Sequence, residues 1–103
     1  MAKHFNLGDV FMTDGVYGLC KAKTLSEFAI WDILHYRYAM RDWGNVPSDD
    51  KTENDKVLAW LEENPEATGM TLGSYTCDDV KLWIITIFNG EHTYTTILLP
   101  EEY

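Results

Sequence analysis

Asp32, His35 and Asp42 are the residues of this chain whose types and spacing could move a proton. On an uninterrupted helix Asp32 lies one turn before His35 and Asp42 two turns after it, so all three share a side. A carboxylate beside an imidazole raises its pKa and fixes its tautomer, as a general base requires. No serine or cysteine nucleophile accompanies them at a recognisable spacing, and a solvated helix face accounts for the same residues more simply. A small hydrolase using His35 with Asp32 or Asp42 is therefore the alternative expectation, and a non-enzymatic protein the preferred one. His4, His35 and His92 stand isolated, and Cys20 and Cys77 lie far apart. With no ligand spacing among them, no metal or cofactor is expected and the cysteines read as reduced thiols.

Charge points elsewhere. The chain carries 17 acids against 8 bases, a formal net charge of −9. That opposes direct nucleic-acid binding, which needs clustered lysine and arginine on the phosphates. From Asp42 to Glu66 there are eight acids against Lys51 and Lys56, a net of −6 in under a quarter of the chain. Such a block is usually a solvated helix face. Its functional reading is an electrostatic surface steered toward a basic, nucleic-acid-handling protein. Asp49, Asp50 and Glu53 would supply the steering charge, and Trp43, followed by the permissive Gly44, an exposed anchor. The competing reading of Trp43 is an indole folded under its loop to fill the core. Asn54 falls on the apolar stripe of its helix, where a buried amide must find partners, and holding the Asp42–Pro47 loop would provide them.

These groups need elements to position them. Phe5 to Met12 reads as a short entry strand. Thr13 caps a helix from about Asp14 to Lys21. Thr24 and Glu27 form a capping box opening a second helix to about Arg41, apolar on more than one side. Gly44 and Pro47 break it, and Ser48 caps a third helix buried through Val57, Leu58 and Leu61, ending at Asn64-Pro65. Met70–Thr76 reads as a strand, Asp78-Asp79 as a turn, and Val80–Phe88 with Glu91–Leu99 as a hairpin about Asn89-Gly90. A two-residue loop there sets Phe88 opposite Glu91, Ile85 opposite Tyr94 and Trp83 opposite Thr96. Apolar residues on both faces make Val80–Phe88 the central strand. The expected fold is a single α+β domain over residues 1–103: a short N-terminal strand, about three helices, then a three-stranded antiparallel β-meander with the helices on one face.

Several of these segments together resemble a group of small bacterial proteins described as plasmid-related or phage-related. They are Asp42-Trp43-Gly44, Asp49-Asp50-Lys51 followed by Asn54, Ser74-Tyr75-Thr76, Leu82-Trp83-Ile84-Ile85-Thr86 and the ending from Thr95 to Tyr103. The likeness covers nearly the whole chain. It departs where that group often has a histidine before the Asp-Trp-Gly segment, here Tyr36 to Arg41, and an acid after Trp-Ile-Ile-Thr, here Ile87. The resemblance implies a mobile-element setting in the bacterial cytoplasm and carries no established activity.

No stretch approaches the ~18 apolar residues of a membrane span and no apolar leader opens the chain, so a cytoplasmic protein is expected. The partner is expected to be a protein. Homo-oligomerisation would require an exposed sheet edge or apolar patch.

Overall fold

The computed structural model describes residues 4–103. The chain runs β1 (Asp9–Met12), α1 (Asp14–Lys21), α2 (Glu27–Tyr36), a 3₁₀ turn (Tyr38–Met40), α3 (Ser48–Glu63), β2 (Thr68–Cys77), β3 (Val80–Asn89), β4 (His92–Leu98) and a closing 3₁₀ turn (Pro100–Glu102). The Thr13 side chain accepts from the Val16 amide and starts α1 as its sequence predicts. In α2 the cap is Ser26, which accepts from the Ala29 amide at 3.2 Å, so the expected Thr24–Glu27 box does not form. Leu25 before the cap and Ile30 in the first turn are both buried, the placement of a hydrophobic staple.

That second helix stops at Tyr36, five residues short of the expected Arg41. The chain tightens to a 3₁₀ turn and Arg41 takes a left-handed φ of 70°. Tertiary packing overrides the continuing helical pattern, because the tighter turn carries Tyr38 and Ala39 into full burial. Only one side of α2 is buried, through Ile30, Ile33 and Leu34, while Phe28 and Tyr36 are exposed.

The sheet has four strands in the order β1-β4-β3-β2. Strands β2, β3 and β4 form the expected antiparallel meander with β3 inside, and β1 adds a fourth strand, parallel to β4. This pairing joins the first and last strands of the chain, so no local pattern announces it. The β2–β3 turn has positive φ at both Asp78 and Asp79, as a type I′ turn requires. At the second hairpin Asn89 pairs with His92, so the loop is Gly90-Glu91 rather than Asn89-Gly90. Positive φ is needed at Gly90 and not at Glu91, which lets the acid enter the loop. Ile85 therefore faces Thr96 and Ile87 faces Tyr94. A slip of two residues leaves every side chain on its expected face.

The covered face of the sheet packs Tyr75, Leu82, Ile84 and Ile97 against Ile30, Ile33, Leu34, Tyr38 and Leu58. Thr71, Thr86 and Thr95 lie in one row across β2, β3 and β4, all without solvent exposure. Thr95 donates to the Leu7 carbonyl at 2.7 Å, which settles the order of donors behind it. Thr86 must then donate to Thr95 (2.8 Å), Tyr38 donates to Thr86 (2.7 Å), and Thr71 donates to the Tyr38 oxygen (2.7 Å). Every hydroxyl in the row is satisfied in one direction. Burial pushes the Tyr38 phenol up to about 12.

The outer edge of β2 is covered at its middle. Asn54 of α3 donates to the Leu72 carbonyl (2.8 Å) and accepts from its amide (3.2 Å), standing in for a neighbouring strand. One pair further on, the Ser74 amide donates to the Trp43 carbonyl and its carbonyl accepts from Asn45. Gly44 bridges there at φ +74°, and a Cβ on it would lie 2.0 Å from the Ser74 oxygen. Asn54 thus holds β2 rather than the Asp42–Pro47 loop, which is held by Ser74 itself and by the Tyr75 hydroxyl on the Asp42 carbonyl (2.6 Å).

Candidate binding surface

The acidic block is distributed over three elements with different duties. Asp42 accepts from Arg37 (2.9 Å) and from the Gly44 amide (3.1 Å), and these contacts hold its carboxyl below the ordinary value, Arg37 most strongly. The same guanidinium stacks on the Tyr75 ring at 4.9 Å. Asp55 accepts from the Trp43 indole at 3.0 Å. Glu62 meets Arg41 at 3.4 Å. Among the described residues Asp49, Asp50, Glu53, Glu63 and Glu66 form no side-chain hydrogen bond or ion pair. All five are exposed.

Trp43 corrects one expectation. It is only 3% exposed, packed edge-on to Tyr38 (5.4 Å) and against Phe5 (5.7 Å), with its polar atom spent on Asp55. It is a core residue and cannot anchor a partner. The tryptophan that the acidic helix does present is Trp60, 56% exposed. Asp49, Glu53, Lys56, Trp60 and Glu63 recur at alternating four- and three-residue spacing, a single stripe opposite the buried Asn54 and Leu58. That spacing was available in the sequence.

The acid–base trio is not brought together. His35 is exposed and stacks on Trp31 at 6.1 Å, and Asp32 is exposed beside it with no hydrogen bond between them. Asp42 is engaged with Arg37 beyond the end of α2, so the shared helix face on which the trio depended ends at Tyr36. Nor are the thiols activated: burial pushes Cys20 and Cys77 above their ordinary values, with Glu27 and Asp78 adding to it. Both cysteines are free. No cluster of three metal-ligating side chains occurs among the described residues. Nor is any described helix long and apolar enough to cross a membrane. A cleft of about 380 Å³ has a floor of Phe5, Leu58, Leu61 and Phe88, and the Arg41–Glu62 pair stands on its rim. It holds no grouping of a nucleophile with a base.

Comparison with protein-family models, curated proteins and solved structures finds no match to this chain.

Proposed function

We propose that the chain is a small, non-enzymatic accessory protein of a phage- or plasmid-type mobile element. It acts by binding a basic nucleic-acid-handling protein of the host, or of its defences, and modulating it. The supporting observation is the outward stripe of α3, which carries Asp49, Glu53 and Glu63, unpaired among the described residues, with Lys56 and the exposed Trp60, and has Asp50 beside Asp49 in its first turn. Acids without internal partners steer a basic surface during encounter, and a half-exposed tryptophan is the residue type that most often dominates an interface once contact is made. The mobile-element setting rests on the sequence resemblance.

The test begins with purification of the tagged protein from a bacterial host under nuclease treatment, to identify a stoichiometric basic protein. Association with that protein is then measured against ionic strength. Replacing Asp49, Asp50 and Glu53 by Asn, Asn and Gln slows association by roughly tenfold or more at low salt and flattens its salt dependence. Trp60→Ala raises the dissociation rate by about 30-fold or more, the effect of a tryptophan hot spot. Unchanged association of the triple variant at low salt rejects the reading.

A further inference from the structure

The sheet face turned away from the helices carries an apolar patch at its centre, ringed by threonines, Ser74, Asn89 and His92. Phe11, Tyr94 and Met70 on it are 55%, 41% and 42% exposed, around Ile85, Ile87 and Trp83 of the inner strand. An antiparallel sheet with one face open ordinarily places polar residues there. We propose that a second copy of this chain packs on this face, giving a two-fold dimer of two sheets back to back.

Charge selects the occupant. Of the side chains pointing to this side from the four strands, Asp9 is the carboxylate, Lys81 the amine and His92 the imidazole. Asp9 and Lys81 stand toward opposite ends of the face, and the Glu102 carboxylate at its Trp83 end is taken up by Thr13 and the Gly15 and Leu99 amides. The chain's −9 lies elsewhere. A basic partner finds no cluster of carboxylates here, whereas a copy of the same face matches the apolar centre and can set its lysine against the other's aspartate. Area agrees. Four strands about 4.8 Å apart, some seven residues long, give a footprint on the order of 400 Å² per copy before side-chain relief. Two such faces approach the roughly 1,000 Å² that a specific interface needs. Strand addition along β2 is obstructed by Asn54 and the Trp43–Asn45 loop, and β1 at the other edge offers four residues.

Sedimentation equilibrium over a wide concentration range tests this. The wild type is expected at twice 11.9 kDa. Met70→Glu and Tyr94→Glu, at positions already open to solvent, are expected to weaken the dimer at least 100-fold while keeping the wild-type circular dichroism and melting cooperativity. Phe11→Lys on the short edge strand serves if either glutamate unfolds the chain. A wild type that stays monomeric at submillimolar concentration overturns the proposal. So does a dimer indifferent to all three substitutions. Because α3 lies on the other side of the sheet, partner binding through its acidic stripe is scored separately.

Discussion

The two faces of the sheet each break the usual assignment of polarity in one patch. The face under the helices holds three threonines and a tyrosine hydroxyl at zero exposure, and the open face shows Phe11, Tyr94 and Met70 to solvent. The difference lies in whether polar atoms satisfy one another. Thr71, Thr86 and Thr95 stand in register, so each hydroxyl finds the next, Tyr38 closes the row from above, and the Leu7 carbonyl takes the last proton. A buried hydroxyl with its partners in place contributes modestly to stability, while one without them costs about 1–3 kcal/mol. Residue polarity alone therefore cannot tell which face of β3 is the inside.

Large-to-small substitutions measure the contrast most strongly. Ile84 is fully buried on the covered face, and Ile84→Ala is expected to lower unfolding stability by about 2–5 kcal/mol in denaturant titration. Ile87→Ala, at a half-buried position on the open face, is expected to lose less than about 1.5 kcal/mol when measured below the concentration at which copies associate. Equal losses at the two positions would mean that the open face is covered even in the monomer.

Threonine to valine sharpens the same comparison at constant shape. Thr86→Val removes the hydroxyl that both accepts from Tyr38 and donates to Thr95, and should cost about 1–3 kcal/mol. Thr96→Val, on the open face beside Ile85, should be neutral or slightly stabilising, since valine suits a strand at least as well. A neutral Thr86→Val would show that the buried row tolerates an unsatisfied phenol.

Alkaline unfolding probes the row from its tyrosine end. The phenol of Tyr38 is held protonated up to about 12, against about 10 in the unfolded chain. Below pH 10 neither state ionises and stability is complete. Between about pH 10 and 12 the unfolded chain releases a proton that the folded one keeps, so stability falls, by roughly 2–3 kcal/mol for this group. The phenol of Tyr75 is raised by burial as well and adds to the same slope. Tyr38→Phe starts from lower stability but should lose less of it over that range. Parallel curves for the two proteins would remove Tyr38 from the account.

Much of the architecture was legible in the sequence for local reasons. Thr13, the Asp78-Asp79 turn and the β-branched runs about Asn89-Gly90 each act within a few residues, and they placed α1 and the meander. What escaped was set by contacts distant in sequence. The pairing of β1 with β4 spans most of the chain. The early end of α2 follows from where the Tyr38 hydroxyl must arrive, on strands more than 30 residues later. The same holds for the candidate site. The exposure of Asp49, Asp50 and Glu53 follows from their place in the first turns of an amphipathic helix. The burial of Trp43 depends on Phe5 and Tyr38 on one side and Asp55 on the other, and no spacing rule reveals that meeting.

The smallest expected effect concerns the tail, where Glu102 ties one end of the open face to the start of α1. Its carboxylate accepts from the Thr13 hydroxyl, from the Leu99 amide at 2.9 Å and from the Gly15 amide at 3.1 Å, and Tyr103 rests edge-on against Trp83 at 5.5 Å. These donors, Thr13 foremost, hold the carboxyl below its ordinary value near 4.5. Because the folded value is depressed, the contribution is present at neutral pH and disappears as pH falls through that lower value. The carboxylate is exposed to solvent, so its effect on global melting should be slight. The local effect should not be. In an NMR titration the Gly15 and Leu99 amides should shift together with one midpoint below 4.5, and Trp83 should lose its contact with Tyr103 over the same interval. Glu102→Gln should abolish the shared midpoint and leave both amides at intermediate positions throughout. Separate midpoints in the wild type would show that the tail is not held by this carboxylate, and that the Trp83 end of the open face is bare at every pH.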